Sequence, residues 1–349
     1  MRPFGNSASF LTGGIYHVQG RARDGDHDLL WSVILKILPE TAAHAMPAGV
    51  RYWRREALCY ASGLLDDLPG GVAAPRYLGG SDRPGEGVWL WLEDLGQAHD
   101  APWSLAQYAL VARHLGRFNG AYLTGHSLPR DPWLSTGWLR GWLALTADAM
   151  AQLPLLQDRP LVRRGYSPRA VAGITQLWDE REQFLSALDH LPQTFCHYDA
   201  FRRNLFLCHG PDGADRPTFI DWEFAGIGAI GAELAALVAA SLIFYEVDLA
   251  QARALDELVT TAYGEGLREA GWQGDARLAR FGYCAAAALR YGPDNVRSIL
   301  PILADESLHA RMEQFFGHTM EEITDHMAAC VDILLDRADD ARTLLRQLF

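Results

Sequence analysis

The sequence predicts an α+β protein in two parts: a small strand-built part over residues 1–93 and a larger, mainly helical part over 94–349. Three observations carry that division. Up to residue 93 the apolar residues fall mostly in short runs rich in β-branched and aromatic side chains. From Ser104 onward they recur at helical spacing. Between the two lies Glu93-Asp94-Leu95-Gly96 and a loose segment to Trp103, which reads as a hinge.

Taken in order, residues 1–22 alternate small polar residues with Phe, Ile, Tyr and Val and suggest a hairpin. Its Gly5, Gly13 and Gly14 would allow a backbone to approach a ligand closely. The DGDHD run at 24–28 is a turn into a buried strand at 31–38. Thirty of the 31 basic residues are arginine, and the one lysine, Lys36, sits inside that apolar strand. An ammonium buried there needs a partner, because an unpaired buried charge is expensive. Residues 47–65 read as a helix carrying Glu56, followed by strands at 74–78 and 87–92.

In the second part a long amphipathic helix begins at Ser104, a second covers 133–152, and a third covers 168–189 with Ser167 as N-cap and Pro168 in the first turn. Trp133, Trp138 and Trp142 read as core, with stacking on a ring-bearing substrate as the alternative. An apolar helix at 231–244 carries Glu233, and helices at 248–271, 275–291 and 308–347 follow.

Composition bounds the function. The chain has 349 residues, enough for two lobes, with 49% hydrophobic and 21% charged residues, as in ordinary folded proteins. A net charge of −12 argues against a nucleic-acid or anionic-membrane partner. Residues 94–349 hold −11 of that charge, which favours a cationic acceptor there, though a solvated surface explains it as well. The five cysteines are odd in number and lack metal-type spacing, and no apolar run suggests a signal peptide or a membrane span. These features predict a cytoplasmic protein.

The chemistry-bearing stretch runs from Phe195 to Glu223. It places His197, Asp199, Asn204 and Asp221 in a fixed order: the first three on one loop, the last after two short apolar strands and a Pro/Gly/Asp turn. The layout suits phosphoryl transfer, in which one carboxylate meets a hydroxyl while an amide oxygen and a second carboxylate hold magnesium on nucleotide phosphates.

His-x-Asp-x4-Asn followed by Ile220-Asp221-Trp222-Glu223 resembles the aminoglycoside phosphotransferase and choline kinase branch of the protein-kinase-like superfamily. The resemblance spans most of residues 1–240. It implies a bilobal protein-kinase-like fold, with an antiparallel-sheet N-lobe and a mainly helical C-lobe. It also implies that Asp199 is the base, that Asn204 and Asp221 ligate Mg²⁺, and that Lys36, held by Glu56, grips the phosphates of ATP or GTP. The phosphate-covering loop would be 5–9 or 12–14, the latter with Gly13 and Gly14, and the hinge at Glu93 would offer backbone groups to the purine. His197 would brace the loop.

Glu233 stands where the family usually has Asp, and Arg202-Arg203 replaces a common Pro-Gly pair. Arg203 could reach the base or the γ-phosphate, or could be a surface arginine paired with Asp199 or Glu223. The expected activity is transfer of a γ-phosphoryl group to a small-molecule hydroxyl, the acceptor itself being open. A pseudokinase keeps the fold but not the intact Lys36, Asp199, Asn204 and Asp221. A protein kinase would be expected to show Asp-Phe-Gly and Ala-Pro-Glu, which are absent here.

Overall fold

The computed structural model describes residues 13–25, 27–96, 102–209, 213 and 215–349, together with the backbone of Arg2–Pro3. In the first part, strands β1 (Arg2–Pro3), β2 (Gly14–Asp24), β3 (His27–Pro39), β4 (Tyr77–Arg83) and β5 (Gly87–Glu93) form one sheet in the order β1-β2-β3-β5-β4. Every pairing in it is antiparallel. The apolar half of β3 explains its place at the centre: Leu35, Lys36 and Leu38 are buried, while residues 27–32 are exposed.

The helix expected over 47–65 is shorter, α1 (Arg55–Ala61). Pro47 and Gly49 disfavour helix before it, and the carbonyls they leave unpaired need other donors. Arg55, fully buried, supplies them. Its guanidinium donates to the carbonyls of Pro47, Gly49 and Val50, and also to those of Trp133 and Glu223, both at 2.8 Å. Five N–H groups therefore meet five carbonyls, tying α1 to the segment that carries Asp221.

The second part begins with α2 (Leu105–Leu123), opened by a capping box of Ser104 and Gln107. There follow β6 (Ser135–Thr136), α3 (Trp138–Ala144), α4 (Ala147–Leu156), α5 (Pro160–Gly165), α6 (Pro168–His190), β7 (Gln193–Cys196), β8 (Leu205–His209), β9 (Asp215–Phe219) and β10 (Gly226–Ala229). Helices α7 (Ser241–Ile243), α8 (Ala252–Glu269), α9 (Ala276–Ala304), α10 (His309–Phe316) and α11 (Met320–Leu348) complete the chain. β6, β10 and β7 form a small sheet, and β8 and β9 the hairpin between the two acidic loops.

α2 and α8 approach closely because Gly116 and Gly266 face each other's backbone. A Cβ on Gly116 would lie 2.2 Å from the Tyr263 carbonyl oxygen, and one on Gly266 2.0 Å from that of Arg113.

Four further helix expectations are corrected. The helix expected over 133–152 divides, because residues 135–136 pair with β10 and Gly137 turns at φ 74°. Residues 231–244 form turns and a π-helical stretch, Ala236–Ala240, before α7. The helix expected to stop at 291 continues through Pro293 and Pro301, held by buried Val296, Ile299, Leu300 and Leu303, whereas Gly317 at φ 73° separates α10 from α11. All five cysteines are free, four of them buried. Among the described residues no helix is long and apolar enough to cross a membrane.

Candidate active site

The loop from β7 to β8 and the turn after β9 each pass through a conformation that only a braced backbone holds. Tyr198 has φ 66° and Asp221 φ 65°, the left-handed region that costs a non-glycine residue energy and gathers at functional sites. Glu233 accepts the N–H of His197 at 3.0 Å and that of Tyr198 at 2.8 Å, so the longer carboxylate still clamps the loop. Burial pushes its carboxyl up to about 7. Trp138 stacks on the Tyr198 ring at 4.9 Å and on Trp142 at 5.0 Å, and both indoles are buried. They form the wall behind the loop, as core side chains.

His197 links the two acidic segments. Its Nδ1 accepts the Asp199 N–H at 3.1 Å, so Nε2 carries the proton and donates to the Ile220 carbonyl at 2.9 Å. Burial pushes its pKa down to about 4, and the ring is neutral at pH 7. The depressed folded pKa means that the unfolded chain binds this proton more tightly. Stability from His197 is therefore full above about pH 6.5 and is lost as pH falls towards 4, by about 3 kcal/mol. Urea unfolding between pH 7 and 4 should show this slope in wild type, reduced in His197→Asn; equal slopes would remove His197 from the account.

Asp199 is held from two sides. Arg290 of α9 donates to its Oδ1 at 2.7 Å, and the Asn204 amide donates to its Oδ2 at 2.9 Å and its carbonyl at 3.0 Å. Burial raises the Asp199 carboxyl above its usual range, while Arg290 and Asn204 pull it back. Burial likewise works against the Arg290 charge, but Tyr291 and Asp199 hold it above the ordinary arginine value. With both amide protons engaged, Asn204 keeps its Oδ1 for a cation.

Lys36 reaches this centre from β3. Its Nζ lies 2.6 Å from Glu56 Oε2 of α1 and 2.7 Å from Asp221 Oδ1. Burial opposes its charge, but Asp221 and then Glu56 outweigh burial and hold the ammonium charged. Burial raises Glu56, against the pull of Lys36. Glu223 has a buried Oε2 without a hydrogen-bond partner, and burial, then Asp221, raise its carboxyl. Asn204 Oδ1 and Asp221 Oδ2 could hold a hard cation such as Mg²⁺, which takes oxygen ligands and keeps phosphates and waters as the rest. No group of three His, Cys, Asp or Glu placed to hold a metal ion is found among the described residues.

The remaining sequence-derived residues separate. Gly13 donates its N–H to the Ile37 carbonyl at 2.7 Å and Gly14 pairs with Ile37, so both lie beside the Lys36 strand. Residues 4–12, with the alternative loop at 5–9, lie outside the described residues. The Glu93 carboxylate accepts the Arg76 N–H at 3.0 Å, tying down the approach to β4. Beside it His17 meets Asp94 at 2.8 Å.

Arg203 does not meet Asp199 or Glu223. Its Nε donates to Glu246 at 3.0 Å and its guanidinium lies over the Phe244 ring at 4.5 Å. The arginine that meets Asp199 is Arg290, which sequence reasoning missed. One signal could have found it: like Lys36, it is a lone charge in an apolar run, CAAAALRYG.

A buried strand lysine is thus shared by a helix glutamate and a second carboxylate, beside a braced Asp–Asn loop. Residues 33–276 match the APH family model, described as the phosphotransferase enzyme family, and the chain belongs to that family of small-molecule kinases. No curated protein sequence matches it significantly.

Among solved structures the chain is similar in fold to an amicoumacin kinase in complex with AMP-PNP, Ca²⁺ and Ami, at 14% identity and TM-score 0.53 over 91% of this chain and 86% of that one. It is also similar to a Plasmodium vivax ethanolamine kinase, at 10% identity and TM-score 0.52 over 92% and 84%. A third is a choline/ethanolamine kinase family protein from Mesorhizobium loti, at 15% identity and TM-score 0.49 over 95% and 92%.

Proposed function

We propose that this protein transfers the γ-phosphoryl group of ATP or GTP, with Mg²⁺, to a hydroxyl group of a small molecule. The observation that carries the reading is Lys36 bridging Glu56 and Asp221 while Asp199 stands on the adjoining loop, oriented by Arg290 and Asn204. The solved neighbours add support: one was solved with AMP-PNP and Ca²⁺, and their names point to small-molecule acceptors.

Asp199 orients the acceptor hydroxyl and takes its proton. The acceptor oxygen forms the new P–O bond, the bond from the γ-phosphorus to the β–γ bridging oxygen breaks, and the nucleoside diphosphate leaves. Because the transition state is loose, positioning by the rigid loop matters more than basicity. Lys36 keeps a positive charge beside the phosphates, and Arg290 fixes the carboxylate so that Oδ1 is engaged and Oδ2 is shared only with Asn204. Asn204 and Asp221 would hold Mg²⁺, which would neutralise phosphate charge when bound.

Thermal stability tests the reading. At one hundred times Kd, nucleotide with Mg²⁺ should stabilise wild type by about 2.7 kcal/mol. Asp221→Ala should lose the Mg²⁺-dependent share. No shift with either nucleotide at millimolar concentration would remove the nucleotide site.

A further inference from the structure

Beside the catalytic loop lies a cavity of about 460 Å³ between α7, α9, α10 and α11, within the usual size range of small-molecule sites. Phe244, Tyr291, Ile299, Met312, Phe315 and Phe316 line it. Its two charged lining residues, Asp294 and Arg311, are of opposite sign, and Asp294 is already paired with Arg297 at 2.6 Å.

Two of the lining residues, Tyr291 and Phe244, connect the cavity to the Asp199 loop. Tyr291 follows Arg290, which holds Asp199, and both Asp199 and Asp294 bear electrostatically on the Tyr291 phenol. Phe244 stacks on Phe201, two residues beyond Asp199, at 5.8 Å. The helix on the far side, α10, buries none of its residues, although Met312, Phe315 and Phe316 are apolar. Phe315 is 43% exposed, while Met312 and Phe316 are half-buried, packing on the neighbouring core with one side and lining the cavity with another.

We propose that this cavity receives the acceptor, and that the acceptor is a neutral, largely apolar ring alcohol rather than a polycation. The inference deepens the phosphotransferase reading and rests on it. A polycation would need several unengaged carboxylates, and burying its ammonium groups without them is costly. This lining has one carboxylate, which is engaged, and a guanidinium that would repel such a ligand. The chain's large negative charge is therefore not concentrated where an acceptor would sit. An apolar ring, by contrast, would cover the exposed Phe315 and the half-buried faces of Met312 and Phe316 that line the cavity.

The test uses the full chain and the neutral fluorophore prodan, with estradiol and kanamycin as a neutral and a polycationic competitor. Prodan should bind wild type, bind Met312→Glu at least about tenfold more weakly, and be displaced by estradiol but not by kanamycin; Met312 is half-buried at the edge of the core, so an unchanged melting temperature of the variant is checked alongside, and Phe315→Glu, at an exposed position, should weaken binding in the same way. Absence of binding, equal binding by the variant, failure of estradiol to displace it, or displacement by kanamycin each overturns the proposal. Nucleotide stabilisation with Mg²⁺, measured on the same protein, separates the two readings. Its persistence without prodan binding counts against the acceptor class alone, and its loss counts against phosphoryl transfer.

Discussion

Asp199→Asn should lower kcat for the proposed phosphoryl transfer by about 10²–10⁴-fold, the range lost when a positioned base is removed, while stabilisation by nucleotide and Mg²⁺ should remain. The reason lies in how the loop divides its work. The substitution keeps the side chain's shape, and Tyr198 stays clamped by Glu233 and Arg290. Lys36, Glu56, Asn204 and Asp221 are unaltered, so the proposed phosphate and cation contacts survive. What disappears is the carboxylate oxygen proposed to take the hydroxyl proton. A variant with near-normal turnover would mean that Asp199 is not the base.

Arg290→Met should destabilise the fold by about 3–5 kcal/mol, as expected when one partner of a buried ion pair is removed. Arg290 and Asp199 are 2.7 Å apart, and their side chains are only 8% and 17% exposed. The variant leaves a carboxylate already raised by burial with no cation beside it, and also leaves the Tyr198 carbonyl without its donor. Asp199 then takes up a proton more readily, so the acid limb of the pH–rate profile moves to higher pH, by about one unit or more. A purely structural arginine would lower stability without moving that limb. In Arg290→Met/Asp199→Asn the stability loss should be less than the sum of the two single changes, because no charge is left buried alone.

Much of this architecture is legible in the sequence, and the exceptions have physical causes. Lys36 stands out because a charge inside an apolar strand demands partners, and Glu56 and Asp221 are those partners. Local spacing puts Asp199 and Asn204 on one loop, and they hydrogen-bond there. Arg290 is less visible because the chain is rich in arginine and its contact with Asp199 spans ninety-one positions. Arg203 adjoins Asn204 in sequence, yet the short helical turn at Arg202–Asn204 directs it to Glu246 and Phe244. Arg55 sits beside the expected Glu56, but its role depends on carbonyls from three separate segments, which no local pattern encodes. Helix ends failed where tertiary burial overrode proline, in α9, or where a glycine turned the chain, at Gly317.

The most direct test of the central claim follows the label from γ-³²P-labelled ATP or GTP, with Mg²⁺, in wild type and Asp199→Asn over a panel of neutral ring alcohols and amino sugars. Label appearing on a small-molecule hydroxyl with wild type, and reduced by at least about 10²-fold with the variant, is the predicted result. Label that reaches only water or the protein itself, or that transfers equally in both, would contradict it.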